Sequence, residues 1–178
     1  MTAPEFHRPV AVLDLPPAGQ TIEIEANAAE RAALAERFEL LALDRLTARL
    51  TLKPIAGGPM LRVFGRFAAA ATQACVVSWA PVPAQIEEAV DLRFGPSAEP
   101  EREVTIGFDE EEPPEPIEDG RIDLGELVAQ LLALALDPYP RAPDAEVPAA
   151  YAPADPVGER AGKPNPFAAL ADRLKKDR

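Results

Sequence analysis

Four cations at alternating positions are the residues of this chain best placed to meet a polyanion. Arg49 and Lys53, with Thr47 and Thr51, alternate against Leu46, Ala48, Leu50 and Leu52, and a period of two puts the polar set on one face of a strand. Arg62, Phe64 and Arg66 alternate in the same way against Leu61, Val63, Gly65 and Phe67, and Pro54 to Pro59, with Gly57 and Gly58, supply the turn of a hairpin between the two runs. If both polar sets share the solvent face, Arg49, Lys53, Arg62 and Arg66 surround an exposed Phe64. That arrangement offers phosphate neutralisation beside a stacking ring, the chemistry of RNA binding. The same pattern also fits a solvated sheet face whose Phe64 is covered by an N-terminal helix.

Charge is segregated along the chain. Arg45 to Ile86 holds five basic residues and no acidic one, whereas Glu99 to Asp119 holds ten acidic residues against Arg102, within a total net charge of −12. Such asymmetry fits separate contact surfaces and fits equally two blocks that are merely solvated, and the total charge argues against a protein that coats nucleic acid. Asp109, Glu110, Glu111 and Glu112 form the densest part of the acidic run and are candidate contacts for a basic protein. Set among Pro113, Pro114 and Pro116, they lack the spaced ligands and central glycine of a calcium loop.

Catalytic constellations are missing from the sequence. With one Cys (Cys75) and one His (His7), the chain cannot assemble a four-ligand zinc site of nitrogen and sulfur, and a nucleophile triad would have to recruit a histidine near the N-terminus. Gly57-Gly58 lacks the Lys and Ser/Thr of a phosphate loop. Cys75, among Ala74, Val76 and Val77, reads as a small buried hydrophobe with no basic neighbour to lower its pKa. The expectation is a protein that is not an enzyme, with no cofactor, no metal and no small-molecule substrate.

The elements that must position these residues follow from periodicity and caps. Hydrophobic residues make up 47% of 178, enough for a real core. Pro9–Leu13 and Thr21–Ala26 read as strands, and Asn27 with Glu30 as a capping box opening a helix with Leu34, Phe38 and Leu41 on its apolar face, ending near Asp44. Gln73–Trp79 and Glu88–Phe94 are strand candidates around a corner at Pro81-Val82-Pro83, and Val104, Ile106 and Phe108 form a further short run. Asp123 caps a helix to about Leu136, with Leu124, Leu127, Val128, Leu131, Leu132 and Ala135 facing the core. The spacing predicts an α+β fold, an antiparallel sheet, open or closed into a barrel, with helices packed on it. Residues 1–137 form the domain, including an acidic loop over 109–119. Eight prolines between Pro138 and Pro166 make 138–165 a linker, and 166–178 a short basic helix with Phe167, Leu170 and Leu174 as a protein-partner stripe. No apolar run reaches the roughly 20 residues that span a bilayer, and the opening MTAPEFHRPV lacks the form of a signal peptide, so the chain reads as cytoplasmic.

Three blocks resemble the YceD family of large ribosomal RNA subunit accumulation proteins: QACVVSWAPVP at 73–83 with the strand ending in Asp91-Leu92-Arg93-Phe94, the acidic stretch, and IDLGELVAQLLALALDPYPR at 122–141. The ending NPFAALADRLKK is similar to the terminal helix of the alphaproteobacterial branch. Many family members carry Cys-x-x-Cys where this chain has Cys75 and Ser78. The resemblance implies ribosome biogenesis, supporting accumulation of 23S ribosomal RNA by binding to large-subunit RNA precursors or ribosomal proteins. The alternative is a protein-only adaptor whose acidic loop engages a basic ribosomal protein.

Overall fold

A computed structural model describes residues 4–55, 59–96 and 114–146, and the architecture is α+β. In chain order the elements are β1 (Pro9–Ala11), a 3-10 turn (Val12–Asp14), β2 (Gln20–Glu25), α1 (Ala28–Arg37), β3 (Ala42–Pro54), β4 (Leu61–Ala74), β5 (Pro81–Gly95), β6 (Glu115–Pro116), β7 (Arg121–Asp123) and α2 (Leu124–Ala135). Strands β2-β3-β4-β5-β6 form one sheet in that order, antiparallel except for the parallel β5–β6 pair, and β1 pairs with β7 in a separate antiparallel ribbon. The five-stranded sheet is open, with β2 and β6 as its edges, so the barrel alternative is not realised.

The core lies on one side of this sheet. β3 buries Leu46, Ala48, Leu50 and Leu52; β4 buries Leu61, Val63, Phe67, Ala69 and Ala71; Val90 and Phe94 come from β5. Leu34 of α1, Leu124, Val128 and Leu132 of α2, and Phe6 complete the cluster. Each large side chain fully buried contributes about 1.5–3 kcal/mol. Both helices begin where their caps dictate. Asn27 Oδ1 accepts from the N–H groups of Ala29 (2.9 Å) and Glu30 (3.0 Å) while Asn27 N–H donates to Glu30 Oε2 (2.7 Å), and Asp123 Oδ1 accepts from Gly125 and Glu126.

Several boundaries differ from expectation. Helix α1 stops at Arg37 rather than near Asp44: Phe38 leaves helical geometry, Glu39 has φ 53°, and Leu41 N–H donates to Thr72 O (2.8 Å). Pairing of Ala42 with Thr72 and Leu43 with Ala71 has drawn this segment into the sheet, a tertiary override of helical periodicity. Pro81-Val82-Pro83 is not a corner but the start of β5, and the turn is Cys75–Ala80. This stretch of β5 pairs with β4 alone, and an edge accommodates prolines because no N–H is needed on its open side. Glu115 and Pro116, expected in the acidic loop, pair with Phe94 and Gly95.

The chain divides into units of Met1–Ala145 and Glu146–Arg178. The run Val104–Phe108, the acidic candidates Asp109 to Glu112, the linker from 147 onwards, and Phe167, Leu170 and Leu174 lie outside the described residues. The first linker residues do not: Val76 N–H donates to Pro140 O (2.9 Å) and Pro140 is buried, so the chain leaving α2 returns to the Cys75 turn.

Candidate functional site

The hairpin register brings the five basic-face candidates together. Arg49 lies opposite Arg66, Lys53 opposite Arg62 and Thr51 opposite Phe64, all on the face that the alternation assigns to solvent. Like charges directly opposite repel, and the strands on either side supply the counter-charges. Glu23 on β2 reaches Arg49 (3.3 Å), and on β5 Glu87 reaches Arg66 (2.9 Å). Asp91, also on β5, accepts both Arg62 Nε (2.7 Å) and Nη2 (2.6 Å) in a bidentate pair. The Arg62 guanidinium lowers the Asp91 carboxyl below its ordinary range. Among the described residues Lys53 has no ion-pair partner. Phe64 is half-buried with Arg62 Cζ 4.9 Å from its ring centroid, so one face of the ring carries a guanidinium.

Sequence reading identified the cations and missed Glu23, Glu87 and Asp91. The Glu23 alternation is visible in β2, but which cation it meets is set by the pairing of Glu23 with Arg49. No local signal could have supplied that pairing.

At the β4–β5 turn, Cys75 is fully buried, as expected, but its sulfur is an acceptor. The N–H groups of Val77 and Ser78 (3.4 Å each) and of Ala142 (3.3 Å), 67 residues away, converge on Sγ. The Ser78 hydroxyl, followed by the Ala142 N–H, lowers the thiol pKa to about 6, which corrects the expectation that nothing nearby would lower it. Trp79 occupies φ 61°, and its N–H donates to Cys75 O (2.9 Å). Gln73 Nε2 donates to Asp137 O (2.8 Å). Around this knot of satisfied backbone, Trp79 is 81% exposed and Tyr139 72%.

His7 is held elsewhere, with Nδ1 2.5 Å from Asp123 Oδ2 at the start of α2. Its neighbours form a clamp across both helices. Arg8 makes a bidentate pair with Glu30 (2.8 and 2.9 Å), and Arg37 pairs with Glu126 (2.8 and 2.9 Å) and with Glu5 (3.0 Å). Hydrogen bonding from Arg8 and Arg37 lowers the pKa of Glu30 and Glu126 respectively. Cys75 and His7 share no partner among the described residues, so the structure brings together no thiol–imidazole pair there. Among those residues no three His, Cys, Asp or Glu side chains converge as a metal site, and no helix is long and apolar enough to cross a membrane.

No curated protein and no solved structure matches the chain. A family model described as large ribosomal RNA subunit accumulation protein YceD matches residues 63–174, which takes in β4 from Val63 onward, the Cys75 turn, β5 and α2. The match spans well over half of the sequence, and the chain belongs to the YceD family.

Proposed function

We propose that this protein supports accumulation of large-subunit 23S ribosomal RNA in the cytoplasm by binding rather than by catalysis, and that its direct partner is a basic protein of the assembling particle. The family's description supports the role. The observation that carries the choice of partner is the closure of the cationic face: Arg49, Arg62 and Arg66 each meet a carboxylate from a flanking strand. RNA affinity comes from cations free to replace counterions on phosphates. Here Glu23, Glu87 and Asp91 already occupy those cations and would repel phosphate from the same surface. A net charge of −12 instead attracts a basic protein and speeds the encounter. Asp109, Glu110, Glu111 and Glu112 fit this reading by charge.

A second reading, direct RNA contact through Arg49, Lys53, Arg62, Phe64 and Arg66, is favoured by Lys53, which has no ion-pair partner among the described residues, and by the low cost of opening exposed ion pairs. Binding of the purified protein to naked large-subunit RNA and, separately, to proteins salt-stripped from large subunits distinguishes the two. The expected result is salt-sensitive binding in the protein arm alone. Tight binding to naked RNA, lost when Arg49, Lys53, Arg62 and Arg66 are changed to Glu, would select the second reading. Loss of the gene is expected to lower mature 23S relative to 16S RNA, and an unchanged ratio would remove the role itself.

A further inference from the structure

Four large apolar side chains stand exposed around the end of the β4–β5 hairpin. Trp79 (81% exposed) and Val76 (49%) belong to the turn, and Tyr139 (72%) precedes Pro140, whose carbonyl accepts from Val76 N–H. Leu41 (55%) is joined to the same end by its N–H bond to Thr72 O. The backbone beneath them is fixed: Trp79 N–H to Cys75 O, Cys75 N–H to Ala80 O, Gln73 to Asp137, and three N–H groups on the Cys75 sulfur. The fold therefore holds aromatic rings in water on a rigid base, the reverse of what stability alone favours.

Resting on the protein-partner reading above, we propose that this end of the molecule is a docking tip for a basic protein segment carrying a hydrophobic anchor, received by Trp79 and Tyr139. Exposed, preorganised Trp and Tyr are the side chains that dominate protein contact energies, because they bury large area with few rotamers to freeze. Charge selects the partner's sign. Asp137 lies beside Tyr139, whose N–H donates to its Oδ1 (2.8 Å); Asp144 follows Ala142 by two residues and Glu39 precedes Leu41 by two, against Arg141. The segments that form this end thus carry more carboxylates than cations, which disfavours an RNA phosphate and favours Lys and Arg flanking an apolar anchor.

Trp79 is the single tryptophan of the chain, so intrinsic emission reports on the tip. The full-length protein is titrated with proteins salt-stripped from large subunits and, separately, with naked large-subunit RNA. The protein arm is expected to shift emission to shorter wavelength and to cut acrylamide quenching at least about threefold, and the RNA arm to change neither. Tyr139→Ser, which keeps the reporter, and Trp79→Gly, followed by co-sedimentation, are each expected to weaken capture about tenfold or more, the scale of an anchor residue, with melting temperatures close to the parent's. Capture of the protein pool with Trp79 still fully quenchable would overturn the tip and leave the protein-partner reading standing. Absence of any capture, or protection of Trp79 by RNA, would overturn both. A concentration-dependent emission shift of the protein alone, abolished by Tyr139→Ser, would assign the tip to a second copy and overturn the proposal.

Discussion

Helix α2 is tied down at both ends, and the two ends are built from opposite materials. At its start, Leu124 N–H donates to Arg8 O (3.0 Å), Phe6 is completely buried, and Gly125 packs so closely on the Phe6 carbonyl that a Cβ would collide with it. Charged groups here are paired across elements, Arg8 with Glu30 and Arg37 with Glu5 and Glu126. At its exit the chain is held by backbone and sulfur hydrogen bonds while Trp79 and Tyr139 remain in solvent. The first end buries Phe6 and pairs its charges; the second leaves Trp79 and Tyr139 in water. The contrast separates a region shaped by stability from one shaped by contact, and substitutions at the two ends are expected to differ accordingly.

The largest effect is expected at the clamp. Phe6→Ala should cost about 3–5 kcal/mol in urea unfolding, the range for emptying a buried aromatic site. A loss under about 1 kcal/mol would mean that the N-terminal segment adds little to the core and would erase the contrast. The Cys75 turn comes next. Cys75→Ala strands three N–H donors without an acceptor and is expected to lower the melting temperature by roughly 3–9 °C, with Cys75→Ser recovering part of the loss. The thiol ordinarily titrates at 9.0 and in the fold at about 6. Its contribution is therefore complete above 9 and lost as pH falls toward 6. Parent stability should climb across that window relative to Cys75→Ser, and parallel curves would show that the sulfur is no charged acceptor.

A smaller effect is expected for the ion pairs. The carboxyls of Glu30 and Glu126 ordinarily titrate at 4.5 and are lowered in the fold. The stability they add is present above 4.5 and disappears as pH falls through their depressed folded values. Arg37→Ala is expected to remove about 1 kcal/mol at neutral pH and to flatten the acid limb of the stability curve. An unchanged limb would place the acid sensitivity elsewhere.

What the sequence disclosed divides along the same physical line. Caps at Asn27-Glu30 and Asp123-Glu126, and the alternation of β3 and β4, were legible because each is decided within four residues. The strand registers that set Glu23 against Arg49 and Asp91 against Arg62, the seating of Ala142 on the Cys75 sulfur and the β1–β7 ribbon were not, because each joins segments distant in sequence. Leu41 fits a helix by periodicity, and the bond to Thr72 together with the pairing of Ala42 and Leu43 into the sheet overrules it. The aromatic tip was hidden for a further reason: Trp79 in an apolar stretch looks like core until a positive φ turns it outward.

The smallest effect, and the most discriminating, is expected for Trp79→Gly. A bulky residue at φ 61° pays about 1–2 kcal/mol in left-handed geometry that glycine does not. Against this, glycine loses more backbone entropy on folding, about 0.5–1 kcal/mol. A ring that is 81% exposed adds little burial to either side, so the terms nearly cancel, and the substitution should leave stability unchanged or raise it by up to about 1 kcal/mol. A ring that the fold could replace at no loss is free to serve a contact outside the fold. Destabilisation by more than about 2 kcal/mol would mean that the indole packs within the domain, and the turn would then resemble the clamp rather than oppose it.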